Sequence, residues 1–300
     1  MDNSNTFSIY SDETGLFDKR FQAIALISGP TVHLLQLRER LQLILNENHV
    51  AEIKFSEVRT HRPKILTAQG FIGCSVREYT SRQKCRIGVL IWDTQDLRHA
   101  IRGRDDVANV GIMYYRLLTH TARQWKHVDW HFYPDTNSEI NWHDIASFLN
   151  RTPLLPSICR LPSLFDLEED IQSMKFNEIE PTDSVGEPLI QLADLFAGMA
   201  RFSREEGQHC LQWLESWGND EQLHLPDFIS GMDAIDDTIE TKQNRYKLIG
   251  KFCSLCRQSK MGVSLREKRY LWTRNPSNAI NFWNYEPQHE YDQAPIRGNI

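Results

Sequence analysis

Phe7-Ser8-Ile9-Tyr10-Ser11-Asp12-Glu13-Thr14-Gly15, followed by Phe21-Gln22-Ala23-Ile24-Ala25-Leu26-Ile27-Ser28, decides how this chain opens. The pattern predicts a strand over Phe7 to Ser11 and a second over Phe21 to Ser28, with Thr14, Gly15, Asp18 and Lys19 making the turn between them. A β-hairpin therefore comes first. Asp12 emerges where the apolar strand ends and the glycine turn begins, a rigid edge from which a carboxylate can reach a metal ion. An aspartate capping its own turn fits the same place, and the hexapeptide from Tyr10 to Gly15 leaves both readings open.

Outward from the hairpin, Pro30 and Thr31 start a helix that runs to Asn46 with leucines at mostly helical spacing. Arg86 to Trp92 is apolar, β-branched and bounded by charge, as suits a central strand buried on both faces. Val107 to Trp125 reads as a helix, Val128 to Tyr133 as a strand stopped by Pro134, and Ile171 to Ile179 as another alternating strand. Pro181, Asp183 and Gly186 then turn the chain into a helix from Glu187 to Phe202. This order predicts an α/β domain with a mixed sheet and helices on its faces, over residues 1–203.

Composition changes after Ser203. Ten acids and no lysine or arginine lie between Glu205 and Glu240, whereas Lys242 to Arg274 holds ten bases against Glu267 alone. The reading is a helical extension over 204–274 with an acidic and then a basic half, either two solvated helices or a phosphate-contacting face beside an acidic one. Residues 275–300 are expected to be an extended tail packed on the body through Phe282, Trp283 and Tyr285.

With 40% hydrophobic and 25% charged residues among 300, the chain has an ordinary globular composition, which excludes collagen-like and coiled-coil classes. A net charge of -6 means that any nucleic-acid contact is local. The polar start from Met1 to Thr6 does not resemble a signal peptide, and no apolar run approaches the ~20 residues of a membrane span, so a cytoplasmic protein without membrane contact is expected. Six scattered cysteines suit reduced thiols. Cys253 and Cys256 have the spacing of half a zinc site, but the other two ligands do not follow. Motifs of P-loop, serine-hydrolase and zincin type are absent.

Further acids sit where chemistry is possible. Asp194 interrupts an otherwise apolar helix, on a face shared with Ile190, Gln191, Ala197, Gly198 and Arg201. A buried carboxylate needs a cation or a set of donors, and Arg201 is one candidate partner. In Glu52-Ile53-Lys54-Phe55-Ser56, the first, third and fifth residues share a side if the segment is extended, a pattern that also suits a plain edge strand. Asp135 and Asp93 each follow a strand, and one of them is expected to be a turn former.

These residues resemble a bacterial and phage family catalogued as domain of unknown function 3800. Its "Y-x-D-E-[ST]-G", "E-[IL]-K", strand-ending acid and "Q-[LIV]-A-D" correspond to Tyr10 to Gly15, Glu52 to Lys54, Asp135 and Gln191 to Asp194. The resemblance spans roughly residues 7–205, and Ile280-Asn281-Phe282-Trp283 is similar to the tail of longer members. It implies a ribonuclease H-like fold and a nuclease that hydrolyses phosphodiester bonds of DNA or RNA with two Mg²⁺ or Mn²⁺ ions, in a phage-defence or mobile-element context. It also implies that Asp12 bridges the ions with Glu52, Asp135 and Asp194 completing the ligand set, because hard cations want oxygen ligands. Lys54 would face the scissile phosphate or pair with Glu52. The alternative is a catalytically inactive nucleic-acid-binding or partner-regulated module of the same fold, and either form leaves room for a protein partner or a homo-oligomer.

Overall fold

Strand β1 (Phe7–Thr14) and strand β2 (Phe21–Pro30) form the antiparallel hairpin, with Asp12 opposite Ala25. This is a computed structural model, and it describes residues 6–15, 19–96, 106–127, 129–136, 140–151, 173–217 and 239–286. β3 (Arg86–Asp93) pairs antiparallel with β2. On the other side of β1, β4 (Asp129–Pro134) runs parallel to it and β5 (Lys175–Ile179) parallel to β4. A last strand, β8 (Ile280–Asn284), lies parallel to β3 and completes the order β5-β4-β1-β2-β3-β8. The acid-bearing strand β1 is thus interior.

Period-two alternation distributes these strands over two cores. Ala23, Ala25 and Ile27 of β2 face one side with Ile87, Val89 and Ile91 of β3, while Ile24, Leu26, Leu90 and Trp92 face the other. The first core is closed by α1 (Thr31–Glu47), α2 (Arg62–Cys74), α5 (Pro188–Trp217) and α6 (Ile239–Gln258). The second is closed by α3 (Asp106–Trp125) and α4 (Trp142–Arg151). On α1 the inward face is Leu34, Leu37, Leu41 and Leu45, each fully or almost fully buried, and each such leucine stabilises the fold by about 1.5–3 kcal/mol.

The segment after residue 203 is built into this body. α5 runs through residue 203 without a break, and α6 packs on α5 and α2. Glu206 of α5 holds Lys242 and Tyr246 of α6, Phe196 packs on Phe252, and Leu214 lies beside Gly250, so α6 is fastened along much of α5. The basic stretch is not all helical as expected. α6 stops at Gln258, where Lys260 and Gly262 take positive φ values of 54° and 67°, and a ribbon of β6 (Val263–Ser264) and β7 (Trp272–Thr273) follows. Arg266, Lys268 and Arg269 lie in the ribbon's connection. The tail expected to be extended includes β8, with Phe282 and Tyr285 buried. Acids of the expected acidic half from Asp220 to Asp237 lie outside the described residues, as do Leu16 to Asp18 of the first turn. Among the described residues no helix is long and apolar enough to cross a membrane.

Candidate active site

The parallel pairing of β1 with β4 sets two acids side by side. Tyr10 lies opposite Tyr133 and Ser11 opposite Pro134, and the Asp135 amide donates to the Ser11 carbonyl at 3.0 Å. Asp135 therefore leaves its strand beside Asp12, and both residues are buried. Asp93 ends β3, on the far side of β2, and is taken by the Arg20 guanidinium through bonds of 2.8, 3.0 and 3.2 Å. Burial alone would raise the Asp93 carboxyl, but Arg20 outweighs it and holds it below the usual range.

Alternation along β1 turns Asp12 toward the α5 face and Glu13 toward the α3 face. The Tyr114 hydroxyl of α3 donates to Glu13 Oε2. The Glu13 amide donates to Asp12 Oδ1 at 2.7 Å. Gly15 closes the motif with φ 77°, and a Cβ there would meet the Phe21 carbonyl oxygen at 2.8 Å and Arg201 Cδ at 2.9 Å, so both conformation and space call for glycine.

The segment from Glu52 to Glu57 is not an edge strand. It is an irregular stretch ending in a tight turn over Phe55–Glu57, docked on one face of α5. Gln191 Oε1 accepts from the Ile53 amide at 3.1 Å, while its Nε2 donates to the Ser184 carbonyl at 2.7 Å. One turn on, Asp194 Oδ2 accepts from the Phe55 amide. A further turn on, Gly198 lies so close to Phe55 that a Cβ would meet the Phe55 Cβ at 2.3 Å. Gln191, Asp194 and Gly198 thus act as one docking face. Arg201, the sequence candidate for pairing with Asp194, instead holds Glu205 at 2.8 Å.

Docking delivers Glu52 and Lys54 to the acids. Glu52 Oε1 accepts from the Ser184 hydroxyl at 2.7 Å and lies 3.2 Å from Lys54 Nζ. Burial would lower the Lys54 pKa, but Glu52, Asp194 and Asp135 together raise it. Behind the turn, buried Arg245 of α6 donates to the Ser56 and Val58 carbonyls at 3.1 and 3.2 Å, and Asn244 to that of Arg59 at 2.7 Å.

Electrostatics ties the acids together. Burial pushes the Asp12 carboxyl well above its usual value, and the charges of Asp194, Glu13 and Asp135 push it further. Asp194 is raised to about 6, first by burial and then by Glu52 and Asp135 against the opposing Phe55 amide and Lys54. Burial likewise raises Glu13 to about 7, with Asp135 adding to the rise. Asp12, Glu52, Asp135, Asp194 and Lys54 therefore share one corner, and Glu13, which no motif of the sequence singles out as a site residue, adds its charge to theirs from the α3 side of the sheet.

The donors are hard oxygens that repel one another, and a divalent cation would relieve that repulsion. Among the described residues no three acid, histidine or cysteine side chains close around a point tightly enough to hold a metal by themselves. An ion here would take one or two carboxylates directly and keep several waters, which is the habit of Mg²⁺.

No family model and no solved structure matches the chain. Two proteins of Methanothermobacter thermautotrophicus do match it. "Uncharacterized protein ORF2'" is 31% identical over 307 residues, covering 99% of this chain and 100% of the relative. "Uncharacterized protein ORF2" is 32% identical over 306 residues, with 99% and 100% covered. The match takes in α6 and β8 as well as the acid-bearing strands, and at this identity over the full length the chain belongs to the family of the ORF2 and ORF2' proteins.

Proposed function

We propose that the chain is a divalent-metal-dependent nuclease of the ribonuclease H-like class, acting on DNA or RNA. The observation that carries this reading is the meeting of Asp12, Asp135 and Asp194 from two adjacent parallel strand ends and a helix, with Glu52 and Lys54 docked beside them. The mixed sheet with helices on both faces suits that class. Its resemblance to the domain of unknown function 3800 family rests on the same residues.

In this reading Asp12, Asp135, Asp194 and Glu52 would hold Mg²⁺ or Mn²⁺, each ion taking one or two of these carboxylates directly and water for the rest of its shell. When bound, such ions supply an activated water and charge for the leaving oxygen. The chain's own part is placement. Phe55 and Glu13 amides fix one oxygen each of Asp194 and Asp12, leaving the second oxygen of each carboxylate for an ion. Lys54, half-exposed and tethered to Glu52, is positioned to meet a phosphate oxygen as a point charge.

The test is Asp12→Asn. Asparagine keeps the acceptor for the Glu13 amide and removes a charge that its neighbours oppose, so without metal the variant melts at the parent's temperature or a few degrees higher. Mg²⁺ or Mn²⁺ should raise the parent's melting temperature and support cleavage of mixed DNA and RNA, and both effects should vanish in the variant. A parent that binds nucleic acid without metal stabilisation or cleavage would support the inactive module instead.

A further inference from the structure

Away from the acids, a cavity of about 780 Å³ opens between the second half of α5, the last turns of α6 and the β6–β7 ribbon. Leu214 on its wall and Asp194 lie on the same helix, roughly 30 Å apart at a rise of about 1.5 Å per residue, so this cavity is separate from the acid site. Its volume is that of a small-molecule pocket.

The lining has two parts. Leu211, Leu214, Val263 and Leu265 give an aliphatic wall. It is tightly closed where Leu214 meets α6, since a Cβ on Gly250 would lie 2.6 Å from Leu214 Cδ2. Three exposed cations, Arg257, Lys260 and Arg266, stand around it against one acid, Glu215. Cations at the end of a helix complement its dipole, which accounts for Arg257 and Lys260 at the end of α6. It does not account for Arg266, which comes from the ribbon and meets them at the same cavity. The Ser254 and Ser264 hydroxyls add donors. Among the described residues no aromatic ring lines the space, so a nucleobase would find nothing to stack on, whereas an aliphatic chain would find a matching wall.

We propose that this cavity binds a small amphiphilic anion, an aliphatic chain bearing a carboxylate or phosphate head, with the head at Arg257, Lys260 and Arg266. The charge-assisted hydrogen bonds select the anion, and burial of the chain against the leucines supplies affinity.

Calorimetric titration of the full chain with octyl phosphate, octanoate, octanol and inorganic phosphate tests this. Octyl phosphate and octanoate should bind once per chain, and octanol and inorganic phosphate at least about tenfold more weakly than the octyl anions. The stronger of the two octyl anions identifies the head. Changing Arg257, Lys260 and Arg266 together to glutamine should weaken both anions at least about tenfold with the melting temperature unchanged, because all three side chains are exposed. If that variant melts lower, Arg266→Gln alone makes the same comparison. Octanol binding as well as octanoate, inorganic phosphate matching octyl phosphate, no binding at all, or affinity untouched by the substitutions would each overturn the proposal.

Discussion

Asp12, Glu13 and Asp194 keep their protons to higher pH than free carboxyls because burial strips water from the charged form and further acids surround it. For an acid whose folded pKa is raised, the folded state binds more protons than the unfolded state between the two values. Stability is then gained as pH falls through the folded pKa and is fully gained below the unfolded one. With Glu13 near 7 and Asp194 near 6, the window is about pH 7 down to about 4. We expect the metal-free protein to melt higher at pH 5.5 than at pH 7.5, by a gain on the order of 1–2 kcal/mol. Glu13→Gln should flatten much of that rise, since glutamine remains neutral and can still accept from Tyr114. Thermal melts in a chelating buffer decide it, and a melting temperature that falls on acidification would show that these acids are ionised at little cost. Added Mg²⁺ should also flatten the profile, as a cation compensates the ionised forms.

At the scale of elements, α5 works through its spacing. Gln191, Asp194 and Gly198 fall at i, i+3 and i+7, one helical face, and each meets the segment that carries Glu52 and Lys54. An exposed helical glycine replaced by alanine usually gains about 1 kcal/mol. Gly198→Ala should have the opposite sign, losing about 1–3 kcal/mol, because its methyl would enter the space of Phe55. Hydrogen exchange should rise at the Ile53 and Phe55 amides before it rises in the central strands. A stabilised variant with unchanged exchange would mean that the contact relaxes freely. Sequence alone made the hairpin, the strand before Pro134 and the helix around Asp194 legible, because each has a Pro or Gly boundary, and the central strand from Arg86 legible as a continuous apolar, β-branched run bounded by charge. It did not reveal the turn at Phe55–Glu57, whose alternating polar pattern imitates a strand and whose partners lie more than a hundred residues away on α5 and α6. Arg245 was hidden for the same reason: a basic residue in a basic stretch reads as solvated, and only tertiary contact shows it buried against Phe55 and Phe202. Glu13 was overshadowed by Asp12, since nothing local says that the strand's next side chain finds Tyr114 on the opposite face.

Across the whole molecule, the question is whether the part after residue 203 is an appendage or a member of the fold. β8 supplies the edge next to β3, and the fully buried Phe282 packs on Phe196 of α5 at 6.3 Å and on Phe252 of α6 at 5.7 Å between ring centres. Removing residues 204–300 would bare Phe196 and the apolar face of β3, break α5 midway and take away the Arg245 contacts that hold the Glu52 turn. We therefore expect residues 1–203 alone to show no cooperative melting transition and to aggregate. A fragment too damaged to purify would leave the point to the full chain, where Phe282→Ala is the finer probe. It deletes a buried ring shared by two helices and the sheet, so it should cost about 3–5 kcal/mol. If the chain folds as one unit, the loss appears as a single transition moved to lower temperature, with the same midpoint for far-ultraviolet circular dichroism and for Trp92 and Trp130, which are buried in the opposite core. If residues 204–300 form a separate unit, the variant shows two transitions, and the tryptophans on the α3 side keep the parent's midpoint. That second outcome would return the boundary at residue 203 and sink the one-unit reading.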